Sequence, residues 1–144
     1  MKIKKIVEPD RLCMIPVGDV FKIKDNDNLY LKIGSYSSPI KAFNLTTNEL
    51  VFSEELEFSD IKIMKYEFRY NDNDYHFSSF ENANIGDVFI IIDKINSDVY
   101  IKIKEPSNNI LPDFNVFNLV TERLEFVDPD KEIKICEVVL EYKD

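Results

Sequence analysis

Gly18-Asp19-Val20-Phe21 recurs in the chain as Gly86-Asp87-Val88-Phe89, and this pair of tetrads decides the fold. Beyond them, Tyr30-Leu31-Lys32-Ile33 finds its match in Tyr100-Ile101-Lys102-Ile103, and Phe43-Asn44-Leu45 in Phe117-Asn118-Leu119. Leu50-Val51-Phe52 then matches Leu124-Glu125-Phe126, and Ile61-Lys62-Ile63 matches Ile133-Lys134-Ile135. The blocks keep their order, and the spacing from the Asn-Leu pair to the Leu-x-Phe block is the same in both halves. The remaining spacers differ by a few residues, which surface loops tolerate. The sequence therefore reads as an internal duplication, a small module repeated in tandem.

Each block has the period of a strand and is bounded by polar punctuation. Five short strands are expected per module. In the first they lie near Val20 to Lys24, Leu29 to Ile33, Lys41 to Leu45, Glu49 to Phe52 and Asp60 to Met64, with Asp25-Asn26-Asp27-Asn28 as a turn. In the second they lie near Val88 to Ile92, Val99 to Lys104, Asn115 to Leu119, Arg123 to Phe126 and Glu132 to Val139. Thr46-Thr47-Asn48 and Val120-Thr121-Glu122 are short enough to close hairpins. Alternation assigns Phe21, Ile23, Leu31, Ile33, Phe43, Leu45, Leu50, Phe52, Ile61 and Ile63 to the inward face of the first module. Their counterparts are Phe89, Ile91, Ile101, Ile103, Phe117, Leu119, Leu124, Phe126, Ile133 and Ile135. Five strands of this length cannot bury both faces as a flat sheet, so the expected fold class is all-β, two tandem SH3-like small open β-barrels of about five strands each, each wrapping one face onto itself.

Composition agrees. Apolar residues at 44% and aromatics at 12% supply a core despite 31% charged residues, and Ile, Val, Phe and Tyr dominate the apolar set. The domain reading is residues 1–70 for the first module, 71–82 for a connecting hairpin and 83–144 for the second. The hairpin is expected to turn at Asn71-Asp72-Asn73-Asp74, between Tyr66, Phe68 and Tyr70 on one side and Tyr75, Phe77 and Phe80 on the other. The longest apolar run, Val88 to Ile92, is far short of a membrane span, and Met1 to Val7 alternates apolar with charged residues where a signal peptide would be continuously apolar. A soluble, cytoplasmic protein is expected. Cys13 and Cys136 have no C-x-x-C spacing and read as small buried hydrophobes.

The net charge of -9 disfavours sequence-independent binding to nucleic acid, which depends on Lys and Arg displacing counterions from phosphates. His76 is the only histidine, which removes His-based triads and multi-histidine metal sites. No nucleotide-binding or hydrolase motif occurs, and the Asp/Asn runs lack the Gly and Glu that an EF-hand loop requires. Asp19 and Asp87, each after the repeated glycine, read as turn residues bonding nearby amides, and Asn44 and Asn118 as residues satisfying backbone groups at a bend. No enzyme, cofactor or metal is expected.

The Gly-Asp-Val-Phe, Tyr-x-Lys-Ile, Phe-Asn-Leu and Leu-x-Phe pattern resembles a short β-module that recurs in small accessory proteins of bacteriophages and prophages. The resemblance implies a viral or mobile-element protein of the host cytoplasm that binds and inhibits a host protein, including a defence protein. The expected function is a non-enzymatic protein-interaction module with a host or phage protein as partner. The alternative is a nucleotide or small-molecule binding protein, its ligand held between the repeats by Tyr30, Lys32, Tyr100 and Lys102.

Overall fold

The computed structural model describes residues 15–23, 27–34, 40–52, 61–63, 66–92, 98–105 and 114–142. Among these the chain is all-β. The strands are β1 (Val20–Ile23), β2 (Leu29–Lys32), β3 (Ile40–Asn44), β4 (Glu49–Phe52), β5 (Ile61–Ile63), β6 (Tyr66–Ser79), β7 (Val88–Ile91), β8 (Tyr100–Lys102), β9 (Val116–Asn118), β10 (Arg123–Glu125) and β11 (Glu132–Tyr142). A single 3₁₀ turn, Phe80–Asn82, separates β6 from β7. The chain divides into two compact units, Met1–Phe68 with Leu140–Asp144, and Arg69–Val139.

The first sheet has the order β4-β3-β2-β1-β5, and the second β10-β9-β8-β7-β11-β6. Among the described residues neither sheet closes on itself. The registers follow the sequence blocks. Phe21 faces Tyr30 on β2 and Ile63 on β5, as Phe89 faces Tyr100 on β8 and Ile135 on β11. Tyr30 faces Asn44 as Tyr100 faces Asn118, and Phe43 faces Leu50 as Phe117 faces Leu124.

The backbone explains why these particular residues recur. Gly18 and Gly86 sit at φ 96° and 98°, where a Cβ would clash, so only glycine is comfortable there. The Gly18 N–H donates to the Lys32 carbonyl at 2.8 Å, and the Gly86 N–H to the Lys102 carbonyl at 2.7 Å, tying each tight turn to its central strand. Asp87 does what its position implies, its Oδ2 accepting from the Asn84 N–H at 2.8 Å. Asn44 Oδ1 accepts from the N–H groups of Thr46 and Thr47, and Asn118 Oδ1 from those of Val120 and Thr121. Each asparagine thus supplies the acceptor that a tight hairpin leaves its amides without. The hairpins close with Asn48 and Glu122 at φ 61° and 60°.

The cores need one correction to the expected inward face. In the first unit Ile15, Phe21, Tyr30, Ala42 and Val51 form one buried cluster. In the second Phe80, Ala83, Phe89, Ile91, Tyr100, Val116, Val127, Ile133 and Ile135 do so. Directly opposed residues share a face, so the pairing of Phe21 with Tyr30 puts Leu31 and Phe43 on the reverse face from Phe21. That face is buried as well, by Val20, Leu31, Phe43, Val88, Ile101 and Phe117. Leu45, Leu50, Leu119 and Leu124 are only partly buried, and Phe52 and Phe126, expected inside, are about half exposed at 47% and 52%. The side chains of Ile23, Ile61 and Ile63, together with Cys13 and the Asp25-Asn26 part of the expected turn, lie outside the described residues.

The expected connecting hairpin is also corrected. Residues 66–79 form one uninterrupted strand, β6, hydrogen-bonded beside β11, with no turn at Asn71-Asp72-Asn73-Asp74. No glycine or proline interrupts the stretch, and no residue in it has positive φ, so nothing offsets the ladder gained by continuing. The division between units falls within β6, after Phe68, so 71–82 belong to the second unit.

The two hairpins differ in one testable respect. Asparagine tolerates the left-handed region, whereas for glutamate it costs about 1 kcal/mol. Glu122→Gly is expected to raise stability in urea denaturation by about 0.5–1 kcal/mol, and Asn48→Gly to leave it within about 0.5 kcal/mol. A loss of stability from Glu122→Gly would contradict this reading of the turn.

Candidate functional site

Tyr30, Lys32, Tyr100 and Lys102, the residues expected to line a ligand site, are all buried, with exposures of 4%, 1%, 1% and 0%. The lysines are therefore withdrawn from solvent together with the tyrosines. Tyr30 stacks on Phe21 with ring centroids 5.3 Å apart, and Tyr100 on Phe89 at 5.5 Å, both at 18° between planes. These tyrosines are core residues, filling each cluster across adjacent strands.

Lys102 has a specific task. Its Nζ donates to the Ala83 carbonyl at 2.7 Å and to the Phe80 carbonyl at 3.2 Å, and lies 3.1 Å from Glu105 Oε2. An ammonium has three N–H donors, and three acceptors meet it here. Its charge also sits 4.7 Å from the centroid of the Phe80 ring. Lys102 thus reaches from β8 to both ends of the 3₁₀ turn and fixes where β6 stops and β7 begins.

The candidate surface lies on β6, which ends at that turn. Tyr75, His76 and Phe77 are consecutive exposed residues, with Tyr75 at 46% and Phe77 at 65%. Their aromatic rings meet edge to face at 5.6 Å, and Lys134 Nζ of β11 lies over the Tyr75 ring at 3.9 Å. Among the described residues β6 is the outermost strand of its sheet, so its outer N–H and C=O groups face no neighbouring strand. Two open grooves flank it. One, of about 370 Å³, runs past Tyr75, His76, Asp87, Val88 and Cys136. The other, of about 610 Å³, is lined by Phe77, Ser78, Ser79, Ile92, Asp130 and Glu132.

His76 and Cys136 share the first groove, but Cys136 Sγ contacts the Lys134 carbonyl at 3.6 Å. Among the described residues no group of three or more His, Cys, Asp or Glu side chains is arranged to hold a metal ion. Asn118 joins Asp98 and Glu125 by donating to Oδ2 of the first at 3.1 Å and to Oε2 of the second at 2.7 Å. Those carboxylates hold the hairpin's asparagine in place.

The chain matches no family model, no curated protein and no solved structure.

If Lys102 anchors the turn, removing its charge leaves the Ala83 carbonyl without its donor and the Phe80 carbonyl with only the Ala83 N–H at 3.1 Å. Lys102→Met, which keeps the length of the stem, is expected to destabilise the protein by about 3 kcal/mol in urea denaturation. Glu105 is 59% exposed, so Glu105→Gln is expected to cost less than about 1 kcal/mol. Equal effects from the two substitutions would contradict the assignment.

Proposed function

We propose that this chain is a duplicated pair of small open β-barrels of the SH3 type, and that it serves as a non-enzymatic protein-interaction module. The duplication is supported by the coincidence of sequence blocks, strand registers, the two glycines at positive φ and the two asparagine-capped hairpins. The barrel reading is supported by the order β5-β1-β2-β3-β4, repeated as β11-β7-β8-β9-β10, in which a four-strand meander is flanked by the last strand pairing back to the first. The observation that carries the functional reading is the outer edge of β6, bearing Tyr75 and Phe77 in solvent.

An extended segment of another protein added to such an edge gains main-chain hydrogen bonds and covers the aromatic side chains. Fully burying a phenylalanine contributes about 1.5–3 kcal/mol, enough for Phe77 to act as an anchor. The setting favoured by the sequence resemblance is a phage or mobile-element accessory protein that binds and inhibits a host protein. With Tyr30, Lys32, Tyr100 and Lys102 buried, no observation favours the small-molecule alternative.

Affinity purification of the tagged protein from a bacterial lysate, beside a Phe77→Asp variant, tests the reading. The wild type is expected to retain a stoichiometric protein and the variant to lose most of it, with an unchanged circular dichroism spectrum because Phe77 is exposed. A variant that retains the protein, or a wild type that retains only a small molecule, would overturn it.

A further inference from the structure

The groove beyond Phe77 carries chemistry of its own. Its apolar members are Phe77 and Ile92, both exposed, the latter at 44%. Its charged members are Asp130 and Glu132, also exposed, and among the described residues no Lys or Arg lines it. Lys131 stands between the two acids in sequence without lining the groove, and its carbonyl accepts the Phe80 N–H at 2.8 Å. The Ile92 N–H donates to the Glu132 carbonyl at 3.2 Å, so the apolar and acidic sides of the groove are fastened to each other through the backbone. The groove adjoins the end of β6, whose outer edge meets no other strand among the described residues.

We propose that this groove binds an extended segment of a partner protein that places an apolar side chain and a Lys or Arg on the same side, two residues apart. The inference rests on the reading of the chain as an interaction module and adds the chemistry of its partner. Side chains on one side of an extended chain recur every second residue, so a segment lying in the groove turns residues i and i+2 toward its floor. The apolar one covers Phe77 and Ile92, and the basic one meets Asp130 and Glu132. A second copy of this chain is a poor occupant, because two molecules of net charge -9 repel each other as they approach.

The probes are two fluorescent, end-capped peptides, Ser-Thr-Lys-Thr-Ile-Thr-Lys-Thr-Ile-Ser and the same sequence with Glu in place of each Lys. Binding to the full chain is followed by fluorescence anisotropy. The Lys peptide is expected to bind at least about tenfold more tightly than the Glu peptide, with the gap narrowing as salt is added. The double variant Asp130→Lys, Glu132→Lys is expected to reverse the preference, while Phe77→Ser weakens the Lys peptide about tenfold at unchanged salt dependence. Equal affinities, no binding of the Lys peptide up to about 1 mM, or a preference untouched by the double variant would overturn the proposal. Sedimentation showing a dimer that Phe77→Asp dissociates would assign the groove to a second copy and overturn it too. If a lysate protein is lost on Phe77→Asp but retained by the double charge variant, the interaction reading stands and only the basic character of its partner falls.

Discussion

A buried ammonium must be given acceptors, and the second unit is arranged around that demand. Lys102 lies on the central strand with no exposure, and its three donors are met by the carbonyls of Phe80 and Ala83 and the carboxylate of Glu105. Both carbonyls belong to the short turn that ends β6 and leads into β7. The cost of desolvating the charge is offset only in that geometry, so the charge specifies the path of the turn as well as satisfying itself. Phe80 completes the arrangement, its ring meeting Phe89 at 5.4 Å in the core while its carbonyl faces the ammonium.

The exposed edge of β6 follows from this anchoring. β6 ends where the turn begins, and its exposed aromatic pair and outer edge are displayed a few residues before that point. A strand edge is useful for recognition only if its register is fixed, because a slip of one residue exchanges the two faces. Lys102 and the pairing of β6 with β11 supply that fixity from two directions.

The sequence was most informative where the backbone makes demands that few residues meet. Glycine at 18 and 86 and asparagine at 44 and 118 are such positions, and the blocks around them fall on strands with matching registers. It was least informative where neighbouring residues are both apolar. Tyr30 and Leu31 are both buried, on opposite faces of β2, so alternation alone could not say which faces the cluster. The run Asn71-Asp72-Asn73-Asp74 has the composition of a turn, yet without glycine or proline it continues in extended pairing. Lys102 was expected to hold a ligand because lysine is seldom buried, and two of the partners that allow its burial are backbone carbonyls, which leave no mark in a sequence.

The most direct measurement is backbone amide hydrogen exchange along β6 in the isolated protein and after addition of an excess of the purified partner. On this account alternate amides between Tyr75 and Ser79 point outward and exchange rapidly in the isolated protein, while their neighbours, bonded to β11, are protected. The partner slows the outward set. Uniform protection along this stretch in the isolated protein would mean that the edge is already covered, and would contradict the account.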